Sequence, residues 1–288
     1  GFSNFFLGLF KKVVIADSLS PYAIETFAAV STGSLLSLFE AWRGVLAYTF
    51  QLYFDFSGYS DMAVGIAFLF GIRLPLNFNS PYKSFSIIEF WQRWHITLSR
   101  FLKDYLYIPL GGNRKGEVRR YINLMVTMLL GGLWHGAGWT FIIWGALHGM
   151  YLIINHMWRS VKVSLKFTGR FNIISRVFSR TLTFLAIAIA WVYFRADDVE
   201  AANTMVKRLF GYGGVIWPEG ARTQLGMFAD IFSSWGLQFQ YLNYFNGMDH
   251  VLLMLILLIV VLVVPNVHQL FPRYPAEISS LEPGAVRW

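Results

Sequence analysis

Two apolar runs joined by a glycine-rich break constrain this chain more than any other feature. The first run spans residues 121–133 and the second spans residues 138–155. At ~1.5 Å per residue, the first is too short to cross a hydrocarbon core of ~30 Å, and the second is nearly long enough. Because both outer flanks are basic, we expect a hairpin that enters from the cytoplasmic side and turns before the far surface. The break carries Trp134, His135 and Gly136, which places His135 within the membrane on a non-helical path.

The composition indicates an integral membrane protein. Hydrophobic residues make up 56% of the chain and charged residues 14%, whereas a soluble domain carries about 25% charged residues. The net charge of +8 does not indicate nucleic-acid binding, because the basic residues cluster in loops between apolar runs, as the positive-inside rule requires. The absence of cysteine excludes a disulfide, a thiolate nucleophile and a Cys-ligated metal.

The remaining apolar runs predict an all-α, polytopic membrane domain over residues 1–288, with transmembrane helices and amphipathic interfacial helices. Residues 2–17 indicate the end of a span, or an interfacial helix with a cytoplasmic Lys11-Lys12 pair. Further spans are expected at 42–71 (a tilted or broken helix), 181–194 and 250–264. Amphipathic helices are expected at 89–110, on the cytoplasmic membrane surface or tucked into it, and at 199–210 on the outer side. The loop 157–180 contains six basic residues and no acid, so we expect it in the cytoplasm.

Histidines are the main candidates for chemistry. His135 is the first choice, because imidazole acts as a base and then an acid near neutral pH; the alternative is a structural histidine bonded to a neighbouring helix. For His95 the alternatives are a second polar group in a reaction channel or a member of an interfacial aromatic belt. For His148 they are function or helix packing. The histidines at segment ends are expected to be structural: His156, His250 and His268.

Two carboxylates, Asp55 and Asp61, interrupt the apolar run 42–71. A carboxylate at that depth needs a water-filled cavity or a partner. A functional interpretation makes them a polar wall that orients a histidine or binds sugar hydroxyls. A structural interpretation makes them ion-pair partners of a nearby arginine. With Trp134 and His148, they are our candidates for substrate binding.

A basic patch is predicted on the cytoplasmic side. It would receive the phosphates of a coenzyme A donor or the acidic face of a carrier protein, or it would serve only topology and attraction to anionic lipid. Its members are Arg93, Arg100, Lys103, Arg114 and Lys115. The chain has no P-loop pattern, so ATP hydrolysis is not predicted, and no HExxH or similar cluster predicts a metal site.

Four longer motifs resemble those of the membrane-bound O-acyltransferase family, and most closely its branch for bacterial alginate O-acetylation. They are QLYFDFSGYSDMA (51–63), EFWQRWHITLS (89–99), DYLYIPLGGNR (104–114) and LGGLWHGA (130–137). The resemblance covers roughly residues 5–155, with a weaker match at 191–196.

This resemblance implies that His135 is the active-site histidine at the foot of a central funnel through the membrane, and that His95 is the family's second polar position. It implies transfer of an acyl group, with acetyl favoured, from a cytoplasmic thioester toward hydroxyls of an exported polysaccharide such as alginate. The expected donor is acetyl-CoA or an acyl carrier protein, without a bound cofactor, and the expected partner is an exported acetyltransferase. The expected location is the bacterial inner membrane. The chain looks like the C-terminal part of such a protein, with the preceding spans missing.

In the expected mechanism, His135 removes the proton of an acceptor hydroxyl, the oxygen attacks the thioester carbonyl, and the proton returns to the thiolate. A covalent acyl-histidine route is an alternative.

A different class of function is a proton-coupled transporter with Asp55, Asp61 and His135 as its relay. A third hypothesis is a lipid-modifying acyltransferase, in which the acceptor arrives laterally from the membrane.

Overall fold

The computed structural model describes residues 1–165, 173–244 and 248–270, and most of these residues are helical. The α-helices are α1 (Phe2–Leu9), α2 (Asp17–Ser31), α3 (Leu38–Leu69), α4 (Ile87–Trp91), α5 (Ile96–Leu102), α6 (Glu117–His135), α7 (Trp139–Ser164), α8 (Ile173–Arg195), α9 (Val199–Leu209), α10 (Glu219–Leu225), α11 (Met227–Ser234), α12 (Met248–Val263) and α13 (Val267–Leu270). Two π-helical segments, Phe10–Ala16 and Lys103–Tyr107, and a 3₁₀ turn, Pro81–Lys83, interrupt or connect them. Two short strands are β1 (Ile216–Pro218) and β2 (Gln238–Gln240).

The N-terminal segment is one continuous helix, because α1, the first π-helical segment and α2 follow each other without a break. It packs against α3 so closely that a Cβ at Gly8 would lie 2.5 Å from the carbonyl oxygen of Gly58. Only glycine allows two backbones to approach to that distance. The two lysines of the predicted pair, Lys11 and Lys12, both face α3 and bond to its carboxylates.

Helix α3 runs unbroken through the polar stretch that we expected to tilt or break it. Its 32 residues rise ~48 Å. A capping box fixes its start: the Ser37 hydroxyl accepts from the backbone N–H of Glu40, and the Glu40 carboxylate accepts from the N–H of Ser37. The polar residues do not break the helix because the π-helical segment opposite supplies partners for their charges.

The single amphipathic helix predicted over 89–110 is instead two short helices and a π-helical segment. The break falls at His95, which has left-handed backbone angles (φ 40°, ψ 56°) and caps α5. Part of the segment is packed into the protein core. Its aromatic side chains Phe90, Trp91 and Trp94 are buried in the core.

The predicted hairpin is confirmed as α6 and α7, but its first arm is longer than expected and the break is shorter. Helix α6 has 19 residues and ends at His135, so Trp134 and His135 are helical. Glycines bring the two arms together: a Cβ at Gly132 would lie 2.3 Å from the Phe141 carbonyl oxygen, and one at Gly145 would lie 2.4 Å from that of Met128. Gly132 and Gly145 therefore serve close helix packing, and the backbone leaves the helix only at Gly136, one residue after His135.

The segment 196–244 holds the exception to the all-α prediction. Strands β1 and β2 pair in parallel, with Trp217 opposite Phe239. Aromatic residues favour the extended backbone of a strand, and these two rings contact each other across the pair. The helix predicted at 199–210 is confirmed as α9, which Asp198 caps by accepting from the N–H of Ala201.

Two of the described helices are long and apolar enough to cross a membrane: the continuous helix Phe2–Ser31 and α8. Helix α12 is also apolar but has only 16 residues. Helices α3, α6 and α7 are of similar length to these spans but mix polar and small residues with apolar ones. The core lies where α3, α4, α7 and α8 meet, around Phe50, Trp91, Trp144 and Trp191.

Candidate active site

His135 ends α6 and lies half-buried among aromatic rings. Its ring centroid is 5.0 Å from that of Phe194, 5.3 Å from that of Trp144 and 4.9 Å from that of Trp134, each in an edge-to-face arrangement. Within the described residues no side chain or backbone group hydrogen-bonds either ring nitrogen of His135. The nitrogens are therefore available to a substrate.

His95 lies in the same region as His135, near enough for the two imidazoles to interact electrostatically. Its ring packs against Phe56 at 4.8 Å. Its Nδ1 accepts a hydrogen bond from the backbone N–H of Leu98 at 3.4 Å. Because Nδ1 is an acceptor, the neutral ring carries its proton on Nε2, which is directed away from the helix cap. The fold thus brings together the two histidines that the sequence separates by 40 positions.

His148 is enclosed by aromatic rings and has no exposed surface. Trp144 lies 4.9 Å and Trp91 5.1 Å from its ring centroid, and Phe90 stacks on it at 6.1 Å. Neither of its nitrogens has a hydrogen-bond partner within the described residues. Trp144 therefore lies between His148 and His135 and contacts both rings, and Trp191 and Phe194 form a second connection between them.

Trp134 is exposed on α6, with its ring edge-to-face against His135. This position allows it to contact a molecule that approaches the histidine from outside the helix bundle.

The two carboxylates of α3 are already engaged. Asp61 is buried and accepts from the Lys11 ammonium at 2.7 Å, and His268 Nε2 lies 3.3 Å from its other oxygen. Asp55 pairs with Lys12 in a more exposed position. The structural interpretation thus has partners in the fold, but they are lysines and not the arginine that we expected. The histidine next to Asp61 is His268, not His135.

One member of the predicted basic patch is already engaged in the fold. Arg93 pairs with Glu89 at 2.8 Å and donates to the backbone oxygen of Asn79. A polar cavity of about 740 Å³ lies nearby, at the end of the hairpin opposite His135. Arg120, Arg159 and His156 line it, and the Arg120 guanidinium contacts the His156 ring.

Sequence reasoning missed the aromatic residues that surround the histidines. Trp144, Trp191 and Phe194 form a continuous group of rings, with Trp144 stacked on Trp191 at 5.8 Å and Phe194 5.3 Å from Trp144. A signal was present, because Trp144 and His148 are four residues apart and so share a face of α7. The packing of α8 against α7 is what completes the group.

Comparison with known proteins places these residues in a family context. A sequence profile described as MBOAT, membrane-bound O-acyltransferase family, matches residues 1–195. The peptidoglycan O-acetyltransferase of Helicobacter pylori is 51% identical over 215 residues, which cover 75% of this chain and 39% of that protein.

Two further relatives extend the comparison. The probable alginate O-acetylase AlgI of Pseudomonas putida is 50% identical over 227 residues, 78% of this chain and 44% of the relative. The teichoic acid D-alanyltransferase of Streptococcus thermophilus is 34% identical over 173 residues, 55% of this chain and 40% of the relative. The chain thus spans about two fifths of the length of these curated relatives.

Proposed function

Because this chain belongs to the membrane-bound O-acyltransferase family, we propose that it carries the catalytic histidines of an enzyme that transfers an acyl group, acetyl in the first instance, to a hydroxyl. The observation that carries the proposal is His135: a half-buried imidazole without a hydrogen-bond partner among the described residues, in the same region as a second histidine. The names of the relatives support it, since two of them are a peptidoglycan O-acetyltransferase and a probable alginate O-acetylase.

His135 is the general base in this proposal. Its free nitrogen removes the proton of the acceptor hydroxyl while the oxygen attacks the thioester carbonyl. When the carbon–sulfur bond breaks, the imidazolium returns the proton to the departing thiolate. General acid–base catalysis of this kind contributes roughly 10²–10⁴-fold.

His95 stabilises the oxyanion of the tetrahedral intermediate. With Nδ1 held by the Leu98 N–H, the Nε2–H is available to donate to the thioester oxygen as negative charge develops there. A fixed donor requires no reorganisation during the reaction, and the helix cap keeps this ring fixed.

The aromatic rings serve His135 in two ways. Trp144 and Phe194 hold its orientation by packing from different sides. They also keep water away from the thioester, which limits hydrolysis. Trp134 contacts the incoming substrate, while His148 acts through Trp144 as a positioning residue.

The donor enters from the cytoplasmic side in this proposal. The polar cavity at the far end of the α6–α7 hairpin offers Arg120 and Arg159 to the phosphates of coenzyme A or to an acidic carrier protein. The acceptor is a hydroxyl of an exported polysaccharide such as alginate, reached with the help of an exported acetyltransferase. The protein would cross the bacterial inner membrane several times.

The ion pairs of α3 bear on the alternative of a proton-coupled transporter. A relay needs carboxylates that gain and lose protons, whereas Asp55 and Asp61 are each paired with a lysine. In the acyltransferase they support the helix packing that positions Phe56 against His95.

The test is thiol release and label transfer from radiolabelled acetyl-CoA by the full-length protein in detergent, with the carrier protein and the exported partner added in parallel. We expect His135→Ala to lower release at least 100-fold while it stays folded. The matched control is His250→Gln, a histidine at the start of α12 beside Tyr22, which should keep wild-type activity. Undiminished release from His135→Ala would refute the assignment of the base.

A further inference from the structure

A groove separate from the histidines lies between α3, α8 and α12. Its volume is about 720 Å³ and its walls are mainly apolar, from Leu46, Phe184, Leu185, Leu258 and Leu262. None of the residues that contact His135 or His95 lines it. The groove is therefore a separate site from the one proposed for acyl transfer.

One end of the groove is strongly basic. Arg176 and Arg180 both lie over the ring of Phe85, at 5.1 Å and 4.5 Å from its centroid. Neither arginine forms a salt bridge within the described residues, and the buried Nε of Arg180 has no hydrogen-bond partner there. Arg180 thus keeps an unused donor inside the groove.

Lys83 adds a third positive charge at this end. It donates to the carbonyl oxygens of Val263 and Val264, at the C-terminus of α12. Burial lowers the pKa of its ammonium, and the nearby charges of Arg180 and Arg93 lower it further. The carboxylate of Glu89, which accepts from the backbone N–H of Phe85, is already held by Arg93. The cluster has an excess of positive charge, which an anion would balance.

The apolar part of the groove indicates what kind of anion fits. Around it, α8 and α12 expose large apolar side chains: Ile173, Val177, Leu182, Leu255 and Ile259. Such a surface suits hydrocarbon and not water. A soluble phosphate would satisfy the arginines but leave the apolar walls uncovered.

From these observations we propose that the groove binds one anionic phospholipid, with its phosphate on Arg176 and Arg180 and an acyl chain along α8 and α12. The basic end adjoins the loop that the charge pattern assigns to the cytoplasm, and anionic lipids attract basic residues at that surface. The lipid would hold α8 against α3 and α12, and so fix the helix that supplies Trp191 and Phe194 to the site.

The test compares lipids on the delipidated full-length protein in detergent. Phosphatidylglycerol should raise the thermal midpoint and give a one-lipid adduct in native mass spectrometry, while phosphatidylcholine with the same chains should bind at least tenfold more weakly. In the variant Arg176→Gln/Arg180→Gln this preference should disappear. The control Arg73→Gln/Arg119→Gln removes the same charge from two exposed arginines that lie outside both the groove and the predicted basic patch, and this variant should keep the preference for phosphatidylglycerol.

Two further arms separate the possible ligands. Inorganic phosphate alone should produce no shift, and a shift equal to that of the lipid would overturn the proposal in favour of a simple anion site. Leu258→Trp, which fills the apolar wall but keeps the arginines, should weaken the lipid adduct. Equal responses to both lipids, or an equal loss in the control variant, would also refute the proposal. Because binding is measured without turnover, failure here is distinguishable from failure of the acyl-transfer assay.

Discussion

Two regions of the protein hold ionisable side chains among apolar neighbours, but the regions differ in whether those side chains have a polar partner. Between the N-terminal helix and α3, each carboxylate has a lysine partner, with Asp61 on Lys11 and Asp55 on Lys12. Around the α6–α7 hairpin, His135 and His148 are surrounded by rings and have no hydrogen-bond partner among the described residues.

The difference follows from the chemistry of the groups. A carboxylate or an ammonium loses far too much hydration to be buried alone, so each requires a counter-charge. An imidazole can be buried in its neutral form at a lower cost and still take up a proton during a reaction. The paired region is therefore structural, and the unpaired region is where acid–base chemistry is available. Four substitutions test this division.

The largest effect should come from the buried ion pair. Asp61→Leu leaves the largely buried side chain of Lys11 without its counter-charge, which we expect to lower the free energy of unfolding by about 3–5 kcal/mol. In the double variant Lys11→Met/Asp61→Leu most of this loss should be recovered, because two apolar side chains need no partner. Unfolding in detergent measures both, and a double variant as unstable as the single one would show that the pair is not the cause.

A smaller effect, on activity, is expected at His95. His95→Ala removes both the proposed oxyanion donor and the cap of α5, and the rate of thiol release should fall roughly 10²–10³-fold. His95→Asn should retain part of this rate, because asparagine tolerates left-handed backbone angles, accepts from the Leu98 N–H and offers an amide donor. A wild-type rate in folded His95→Ala would remove His95 from the mechanism.

His148 tests whether an unpartnered histidine is always functional. His148→Phe keeps an aromatic ring and removes two buried nitrogens without partners, so the free energy of unfolding should rise by about 1–3 kcal/mol. Transfer should stay within a few-fold of wild type, since Trp144 still packs against His135. If transfer is lost in the folded variant, His148 contacts the substrate directly, as we first expected from the sequence.

The smallest effect is expected at the second ion pair. The side chains of Lys12 and Asp55 are 40% and 45% exposed, and exposed pairs contribute about 1 kcal/mol or less. Lys12→Gln should therefore change the free energy of unfolding much less than Lys11→Gln does. Equal losses would mean that exposure does not distinguish the two pairs, and the comparison between them would fail.

Several predictions from the sequence were accurate where a local pattern was sufficient. Helix α9 was expected at 199–210 and is observed at Val199–Leu209, because an Asp cap and a 3.6-residue apolar period both act locally. The hairpin around residues 121–156 was recognised in the same way, and so was the span expected at 250–264, which is observed as α12. The break inside 89–110 was not, because the left-handed backbone of His95 is stabilised by contacts with Phe56 and with Leu98 and does not follow from periodicity.

The sequence by itself determined that this chain is a mainly helical membrane protein, where its main helices lie, and that His135 and His95 are its candidates for chemistry. These follow from composition, period and motif, which need no knowledge of distant contacts. The tertiary structure alone decided that Lys11 and Lys12 neutralise the carboxylates of α3, that Gly132 and Gly145 let two helices touch, and that Trp144 separates His135 from His148. Each of these depends on groups from different elements, and only the packing of the helices determines which side chains become neighbours.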